Sequence, residues 1–461
     1  MQVVSDAAEV IHRRNLPPGS VIYTAGNAST PQVLLRRLAA DEAIEDVTLY
    51  SILLLGEGLE PLFSAEACRR VTHRIIFNSH LSRQAVNHGW AKYHPLHLSE
   101  VPRVLRLSGG PGVVLLTVSG PDQGGNYSLG TTVEAVYAAV RAVRARGGLV
   151  IAERNRRMPF VLGTTIPAGA IDYLLETDYP LPTSPVPQPD DRARRIGEII
   201  AALYLRDGSG DEPGSTLQYG IGEVPEAVTD AIMERGMRDL AIHTELFSDA
   251  MIRLVESGAV TNRWKKSIDF SVSSIFLAGA PRGYDWLHFN SSVQSRPCSY
   301  TNSVYQIAAQ PRMVAINSAI GVDLHGNIWA DSLEARNIYS GVGGQSDFLR
   351  GARHAEEGVA IIALKSTTSA GISKIVERSP AGITTTAVAA DQVVIVTEFG
   401  AVDPRGLSMG ERAVGLAHLA PPEERERLLR IIRDDPAFHK PDVVLRRGVP
   451  GLTPYERAVA R

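Results

Sequence analysis

Ser20-Val-Ile-Tyr-Thr-Ala-Gly-Asn-Ala-Ser-Thr-Pro31 carries a strand signal followed directly by a helix-start signal. Residues 20–24 are rich in β-branched and aromatic side chains, which favour strands, and residues 31–40 have helical periodicity. Glycine suits the tight turn between them, and proline is well tolerated in a first helical turn. A strand that passes straight into a helix is the unit of parallel α/β sheets.

The same alternation of short apolar strands and longer helical segments continues along the chain. Strands are predicted at 20–24, 46–52, 74–77, 112–118, 148–152, 240–244, 313–317, 360–364 and 392–398. Helices are predicted at 31–40, 82–88, 131–146, 192–205, 225–235, 248–257 and 409–417. This order predicts an α/β protein with doubly wound parallel sheets that carry helices on both faces.

The two halves of the chain have the same turn-forming residue types at matching spacings. Gly26 and Pro31 are five residues apart before a predicted helix, and Gly220 and Pro225 repeat that spacing. Further along each half, Asp122-Gln-Gly-Gly-Asn126 and Asp323-Leu-His-Gly-Asn327 share the pattern D-x-x-G-N. We therefore expect a duplicated domain, although each match is short and chance agreement is the alternative.

Residues 181–190 contain four prolines and predict an extended linker. They divide the chain into predicted domains 1–185 and 186–461. The net charge of −3 over 461 residues argues against nucleic-acid binding, which needs a basic surface. No apolar run approaches the roughly 20 residues of a membrane span, and no secretory signal precedes the first strand. We expect a cytoplasmic protein with no membrane contact.

Metal and disulfide chemistry find little support in the sequence. The only two cysteines, Cys68 and Cys298, form no CxxC pair and cannot build a disulfide framework. The 12 histidines show no metal-ligand spacing. We expect no metal site.

Two glycine-rich segments are candidates for ligand binding. In 217–225, Gly220 and Gly222 leave main-chain N–H groups bare near a helix start, where anions bind. Taken alone, that segment is better explained as an ordinary tight turn. In 339–348, Gly341, Gly343 and Gly344 allow close approach to a ligand, but neither a P-loop lysine nor a dinucleotide fingerprint is present. A structural loop is the alternative, and the glycine density favours binding.

Two glutamates fall at predicted strand ends, where α/β sheets bind ligands. Glu245 lies between a short strand and the helix at 248–257, and Glu398 ends the apolar strand before Gly400. A solvated surface glutamate is the alternative at each position.

Taken in order, these segments resemble the acetyl-CoA hydrolase/transferase family, in particular its 4-hydroxybutyrate CoA-transferase-like members. The similarity runs from about Gly26 to Leu428. It rests on YHPLHLSE at 93–100, YSLG at 127–130, NRRMP at 155–159, LQYGIG at 217–222, IHTE at 242–245, SYTN at 299–302, YSGVGGQ at 339–345 and VTEFG at 396–400.

The resemblance implies two similar α/β/α domains with the active site at their interface, and a homodimer. It implies a catalytic role for Glu245, with Glu398 and Asn302 at polar active-site positions. The CoA thioester is then a substrate, with no tightly bound cofactor. The implied CoA-binding residues are Gln218, Gly220, Ile221, Gly222, Glu223, Val224, Ile320, Gly341, Gly343, Gly344 and Gln345.

The implied activity is transfer of CoA between a short acyl-CoA, such as acetyl-CoA, and a small carboxylate such as 4-hydroxybutyrate. Glu245 would carry a glutamyl-CoA thioester, and the amides of Ile221 and of Gly343 or Gly344 would bind the oxyanions. Acyl-CoA hydrolysis on the same scaffold is the alternative, and a non-catalytic CoA-binding protein is the third hypothesis. Lys374 stands where relatives usually have Arg, which leaves the acyl acceptor open.

Overall fold

Two large sheets organise the chain in the computed structural model, which describes residues 1–107, 109–208, 210–266, 269–335, 337–438 and 448–460. The first sheet has eight strands, all parallel, in the order β1-β8-β7-β6-β2-β3-β4-β5. Its strands are β1 (Gln2–Val4), β2 (Val21–Thr24), β3 (Val47–Ile52), β4 (Val71–Phe77), β5 (Lys92–Tyr93), β6 (Val113–Val118), β7 (Leu149–Asn155) and β8 (Tyr173–Thr177).

The second sheet has seven strands in the order β10-β9-β11-β12-β13-β14-β15. They are β9 (Thr216–Gln218), β10 (Ala241–Ile242), β11 (Met313–Asn317), β12 (Val359–Ala363), β13 (Val394–Thr397), β14 (Gly400–Val402) and β15 (Leu452–Pro454). The first five in spatial order are parallel, whereas β14 and β15 add on antiparallel. The predicted parallel arrangement is thus present in five strands, and two antiparallel strands extend it at this edge, because the short turn after Thr397 reverses the chain.

The two sheets share a strand order. The run β8-β7-β6-β2-β3 of the first corresponds to β13-β12-β11-β9-β10 of the second. The D-x-x-G-N segments also form the same turn: Asp122 and Asp323 each accept the main-chain N–H of the asparagine four residues later, at 2.8 and 2.9 Å. The predicted duplication is thus confirmed in topology and in turn structure.

Each sheet is covered on both faces, as predicted. Val314 and Ile316 of β11 pack in one core with the helix Asp191–Leu203, while Met313 and Ala315 pack on the other face with the helix Gln345–His354. The first sheet shows the same alternation along β6. Apolar strands buried on both faces are characteristic of parallel sheets.

Most predicted helices are present within one or two residues of the expected ends. The helices are Gln32–Ala40, Ala67–Arg70, Arg83–Asn87, Val101–Val104, Val136–Ala145, Asp191–Leu203, Glu223–Glu234, Asp249–Glu256, Pro281–Leu287, Cys298–Thr301, Val304–Ala308, Gln345–His354, Met409–Leu419, Pro422–Asp434 and Tyr455–Val459. The predicted helix 131–146 is wrong in its first five residues. There Thr131 accepts a hydrogen bond from Phe276 N at 2.7 Å, and Thr132 bridges to Ile275, so this segment contacts the other half of the chain.

The predicted linker 181–190 contains neither helix nor strand. It runs along the second half, where Ser184 N donates to Ala278 O at 2.9 Å. The domain boundary at 185/186 stays a prediction. Across the residues described, none of the helices combines the length and the apolar character that a membrane crossing requires.

Candidate active site

Glu245 lies between β10 and the short strand Leu246–Phe247, at the seam between the two halves. Its carbonyl oxygen accepts hydrogen bonds from Ser273 Oγ at 2.7 Å and from Ile275 N at 2.9 Å. Since Ile275 also bridges to Thr132 of the first half, the main chain of Glu245 is anchored where the halves meet. The residue as a whole is half-buried.

Asn302 and Gly344 hold the Glu245 carboxylate. Asn302 Nδ2 donates to Glu245 Oε2 at 2.6 Å, and the main-chain N–H of Gly344 also donates to this carboxylate. A Cβ atom on residue 344 would overlap both the Glu245 carboxylate and the Asn302 amide. Glycine is therefore required here by close approach, and the Gly344 amide predicted as an oxyanion donor contacts the proposed nucleophile in this structure.

The pKa of Glu245 is raised to about 7, chiefly by burial and in part by the negative charge of Asp347. The hydrogen bonds from Asn302 and Gly344 oppose this rise, because they stabilise the ionised form. The result is a carboxylate that titrates near neutrality. Such a perturbed carboxyl group between two domains is characteristic of a functional site.

Two further buried carboxylates lie close to Glu245. Asp347, in the first turn of the helix Gln345–His354, has its pKa raised to about 6 by burial. Glu134, from the first half of the chain, has its pKa raised to about 8 by burial and by the charge of Glu245. Tyr23 donates to Glu134 Oε1 at 3.3 Å, whereas Glu134 Oε2 has no hydrogen-bond partner among the residues described.

The glycine-rich loop rests on the first half of the chain. Leu98 N donates to Gly343 O at 3.0 Å, and Phe77 packs beside both Gly341 and Gly343. A Cβ on Gly341 would come within 2.7 Å of the Phe77 Cα atom. The predicted loop therefore forms part of the wall next to Glu245, and its missing side chains make room for the other half of the chain.

The predicted CoA turn starts the helix Glu223–Glu234. Gly222 has a φ of 122°, a conformation that favours glycine, and Ile221 is 45% exposed. Glu223 forms an ion pair with Lys365. Val224 packs against the core of the second half, and Gly220 faces open space. Bare main-chain groups near a helix start are thus accessible, as the anion-binding prediction requires.

The remaining predicted residues have structural partners of their own. Asn317 Nδ2 donates to Gln218 Oε1 at 3.0 Å, Ile320 N donates to Trp329 O at 2.9 Å, and Gln345 Nε2 donates to Ser318 O at 2.6 Å. All three lie in the second half of the chain. Their CoA contacts stay predictions.

Glu398 follows β13, as predicted, and accepts hydrogen bonds from Ser366 N at 2.9 Å and Ser366 Oγ at 2.8 Å. Within the described ranges, no hydrogen bond or ion pair joins Glu398 to Glu245. The structure therefore groups Glu245 with Asn302, Gly343 and Gly344. Glu398 is not part of this group and is hydrogen-bonded to Ser366 instead.

Sequence reasoning missed Asp347, Glu134 and Phe77. Asp347 follows the glycine loop within the segment already selected, so its position in a first helical turn was a usable signal. Glu134 lay inside a segment predicted as helix, and its burial could not be read from periodicity. Among the residues with described positions, no group of three or more His, Cys, Asp or Glu side chains could hold a metal ion.

Two family models match the chain. The acetyl-CoA hydrolase/transferase N-terminal domain matches residues 2–185, and the acetyl-CoA hydrolase/transferase C-terminal domain matches residues 279–432. Together they cover the first sheet, the glycine-rich loop and strands β11–β14 of the second sheet, whereas β9, β10, β15 and Glu245 lie outside the matched residues.

Characterised relatives match over most of their length. The 4-hydroxybutyrate coenzyme A transferase of Clostridium kluyveri is 35% identical over 78% of this chain and 82% of its own. The succinyl-CoA:acetate/propanoyl-CoA:succinate CoA transferase of Fasciola hepatica is 33% identical over 90% of this chain and 84% of its own. The crystal structure of RipA from Yersinia pestis is 29% identical with a TM-score of 0.83, covering 93% of this chain and 96% of that one.

Proposed function

Because the chain belongs to the acetyl-CoA hydrolase/transferase family, we propose that it transfers CoA between a short-chain acyl-CoA and a small carboxylate, through a glutamyl-CoA thioester on Glu245. The chain is an enzyme of this family, whose named relatives are CoA-transferases and some acetyl-CoA hydrolases. Acetyl-CoA is the proposed donor and 4-hydroxybutyrate the proposed type of acceptor. The observation that carries the proposal is the Glu245 carboxylate held by Asn302 and Gly344 at the seam.

The first half-reaction makes the glutamyl-CoA thioester. A carboxylate oxygen of Glu245 attacks the thioester carbonyl, the C–S bond breaks, and CoA leaves as the thiolate. The thiolate then attacks the Glu245 carbonyl carbon of the mixed anhydride, the anhydride C–O bond breaks, and the original acyl group leaves as a free carboxylate. This is covalent catalysis with ping-pong kinetics.

The second half-reaction reverses these steps with the acceptor. Its carboxylate attacks the glutamyl-CoA carbonyl and expels CoA thiolate, which then attacks the acceptor carbonyl. The new acyl-CoA forms and Glu245 leaves as a carboxylate. The electrostatics support this cycle, because the burial and negative charge that raise the Glu245 pKa also favour its neutral acylated forms.

Bare main-chain N–H groups are the proposed oxyanion donors, and one such donor is worth about 3 kcal/mol in a transition state. The Gly343 and Gly344 amides are close enough to Glu245 for this role, since both residues lie against its carboxylate. The Ile221 amide belongs to an exposed turn that we propose binds CoA. Contacts with distant parts of CoA would supply binding energy that is used at the reacting centre.

Acyl-CoA hydrolysis is the second candidate activity. It is favoured by the acetyl-CoA hydrolases among the relatives and by the position of Glu245 as a half-buried residue, which would let water reach the same intermediates. An assay of a short-chain acyl-CoA other than acetyl-CoA, with and without added acetate, separates the two activities. Acetyl-CoA that forms as fast as the acyl-CoA is lost supports transfer. If the acyl-CoA is lost at the same rate with and without acetate, and no acetyl-CoA forms, the result supports hydrolysis.

The experiment that tests the nucleophile is borohydride trapping. Enzyme incubated with acyl-CoA and then reduced should be modified on the peptide that contains Glu245, and Glu245→Ala should remove both the label and the activity. An unmodified Glu245 peptide under turnover conditions would contradict the assignment. A cytoplasmic homodimer remains part of the proposal, by resemblance to the family, and light scattering of the purified protein tests the dimer.

A further inference from the structure

We propose that Asp347 is a positioning residue for Glu245, and that Ser99 from the other half of the chain holds it in place. The inference rests on the proposed function, because it concerns how Glu245 is prepared for attack. It links the docking of the two halves to the orientation of the nucleophile. Three hydrogen-bonded steps carry it, from Ser99 to Asp347, from Asp347 to Asn302, and from Asn302 to Glu245.

Ser99 binds both oxygens of the Asp347 carboxylate. Ser99 Oγ donates to Asp347 Oδ1 at 2.7 Å, and Ser99 N donates to Asp347 Oδ2 at 3.1 Å. Asp347 is only 3% exposed, so this two-point contact is shielded from water. Hydrogen bonds to a charged group are roughly twice as strong as neutral ones. The carboxylate of the second half is thus oriented by a residue of the first.

The Asn302 amide lies between two carboxylates. Its nitrogen donates to Glu245 Oε2 at 2.6 Å, and its side chain also hydrogen-bonds to Asp347. Its oxygen accepts from Thr301 Oγ at 2.8 Å, so the amide cannot flip without losing these bonds. Asn302 is fully buried. A displaced Asp347 would therefore remove one of the contacts that hold the amide in its orientation toward Glu245.

Asp347 also contributes charge. Acylation of Glu245 removes a negative charge, and a neighbouring anion makes the uncharged acylated forms more favourable. The other titratable groups that face this pair are Glu134 and Cys298 at the seam and Arg350 on the helix of Asp347. Arg350 favours the ionised form of Asp347, which maintains the negative charge beside the nucleophile.

The first-half segment that carries Ser99 also contacts the glycine loop. The adjacent residue Leu98 donates to Gly343 O at 3.0 Å, so one short turn holds both the loop and the carboxylate. When this turn is docked against the second half, it fixes the positions of Gly343 and Asp347 directly and that of Asn302 through Asp347. Loss of the docking would release all three.

The test uses the full-length protein and measures formation of the Glu245 thioester by rapid quench and mass spectrometry between pH 5.5 and 8.5. The variants are Asp347→Asn, Ser99→Ala and Ser99→Thr. Tyr93→Phe is the matched control, because Tyr93 donates to Asp331 Oδ2 at 2.8 Å across the same seam without contacting Asn302. Thermal melts confirm that each variant is folded.

Asp347→Asn should move the acid limb of kcat/KM for acyl-CoA to lower pH by about one unit, since a negative charge beside Glu245 is removed. Ser99→Ala should lower kcat about tenfold with KM within about threefold, and Ser99→Thr should restore it. Tyr93→Phe should leave the acid limb in place.

The outcomes separate the two proposals. If the wild-type protein forms no thioester on Glu245, the proposed function is wrong. If the wild type forms it, and Asp347→Asn and Ser99→Ala match Tyr93→Phe in rate and in acid limb, the positioning role is wrong and the proposed function stands.

Discussion

Asn302 Nδ2 lies 2.6 Å from Glu245 Oε2, and this hydrogen bond opposes the burial that raises the pKa of Glu245 to about 7. The amide therefore keeps the carboxylate ionised in an environment that favours protonation. It also fixes the orientation of the carboxylate through Oε2. The reactivity of Glu245 depends on this balance between burial and hydrogen bonding.

Asn302→Ala should slow acylation of Glu245 by about 10- to 100-fold, because a hydrogen bond to a charged group is lost. The pKa of Glu245 should rise above about 7, so the acid limb of kcat/KM should move to higher pH. This is opposite to the shift expected for Asp347→Asn. Pre-steady-state kinetics across pH measure both, and Asn126→Ala, which removes a hydrogen bond in a turn of the first half, is the control. An unmoved acid limb in Asn302→Ala would contradict the balance described.

Gly344→Ala should abolish acylation while leaving the protein folded. The added Cβ would overlap the Glu245 carboxylate and the Asn302 amide, so the carboxylate must leave its position. Gly120→Ala is the control, since a Cβ there meets no described atom within 4 Å. Borohydride trapping reports acylation, and circular dichroism reports folding. If Gly344→Ala traps the thioester as well as the wild type does, the close approach has no catalytic importance.

Gly222→Ala should raise KM for acyl-CoA more than it lowers kcat. Gly222 has a φ of 122°, which an alanine adopts only with strain, so the turn before the helix Glu223–Glu234 should change shape. Gly236, past the other end of the same helix, also has a positive φ, 64°, and a Cβ there meets no described atom within 4 Å, so Gly236→Ala is a matched control for backbone strain away from the turn. Steady-state kinetics with varied acyl-CoA decide the point. Equal effects of the two substitutions would argue against a CoA contact at this turn.

Much of the fold was predictable because it depends on local patterns. The strand–turn–helix unit at residues 20–31 and its counterpart at 217–225 predicted the duplication, and the strand order of the two sheets agrees. The antiparallel β14 and β15 were missed, since such short edge strands carry little periodicity. Residues 131–135 were wrongly predicted as helix. Their non-helical conformation depends on contacts with Phe276 and Ile275 of the other half of the chain, and a local sequence pattern does not report such contacts.

The candidate site was predictable only in part. Glycines and a carboxylate near strand ends gave a local signal for Gly344 and Glu245. The contacts that tune them come from residues far apart in sequence, as with Ser99 and Asp347. The burial of Glu134 also depends on the packing of both halves, and no spacing rule reports it.

Glu134→Gln should stabilise the protein increasingly as pH rises from 5 to 8. Burial raises the pKa of Glu134 from its usual 4.5 to about 8, so in this range the unfolded chain releases a proton that the folded chain retains. The stability due to Glu134 is therefore complete below pH 4.5 and is lost progressively up to pH 8. A glutamine side chain cannot titrate, and the gain near pH 8 should be on the order of 4 kcal/mol, since each pH unit between 4.5 and about 8 contributes about 1.4 kcal/mol.

Glu153→Gln is the matched comparison for this prediction. Glu153 is also fully buried, and its pKa is raised to about 7. However, Tyr179 and Leu34 N donate to its two oxygens at 2.6 and 2.8 Å, whereas Glu134 Oε2 has no partner in the described part of the chain. The amide introduced by Glu153→Gln would lose one of these bonds, so we expect a smaller gain or a loss. Urea unfolding at pH 5, 6.5 and 8 measures both variants. A stability difference between Glu134→Gln and the wild type that is constant with pH would show that Glu134 does not retain its proton.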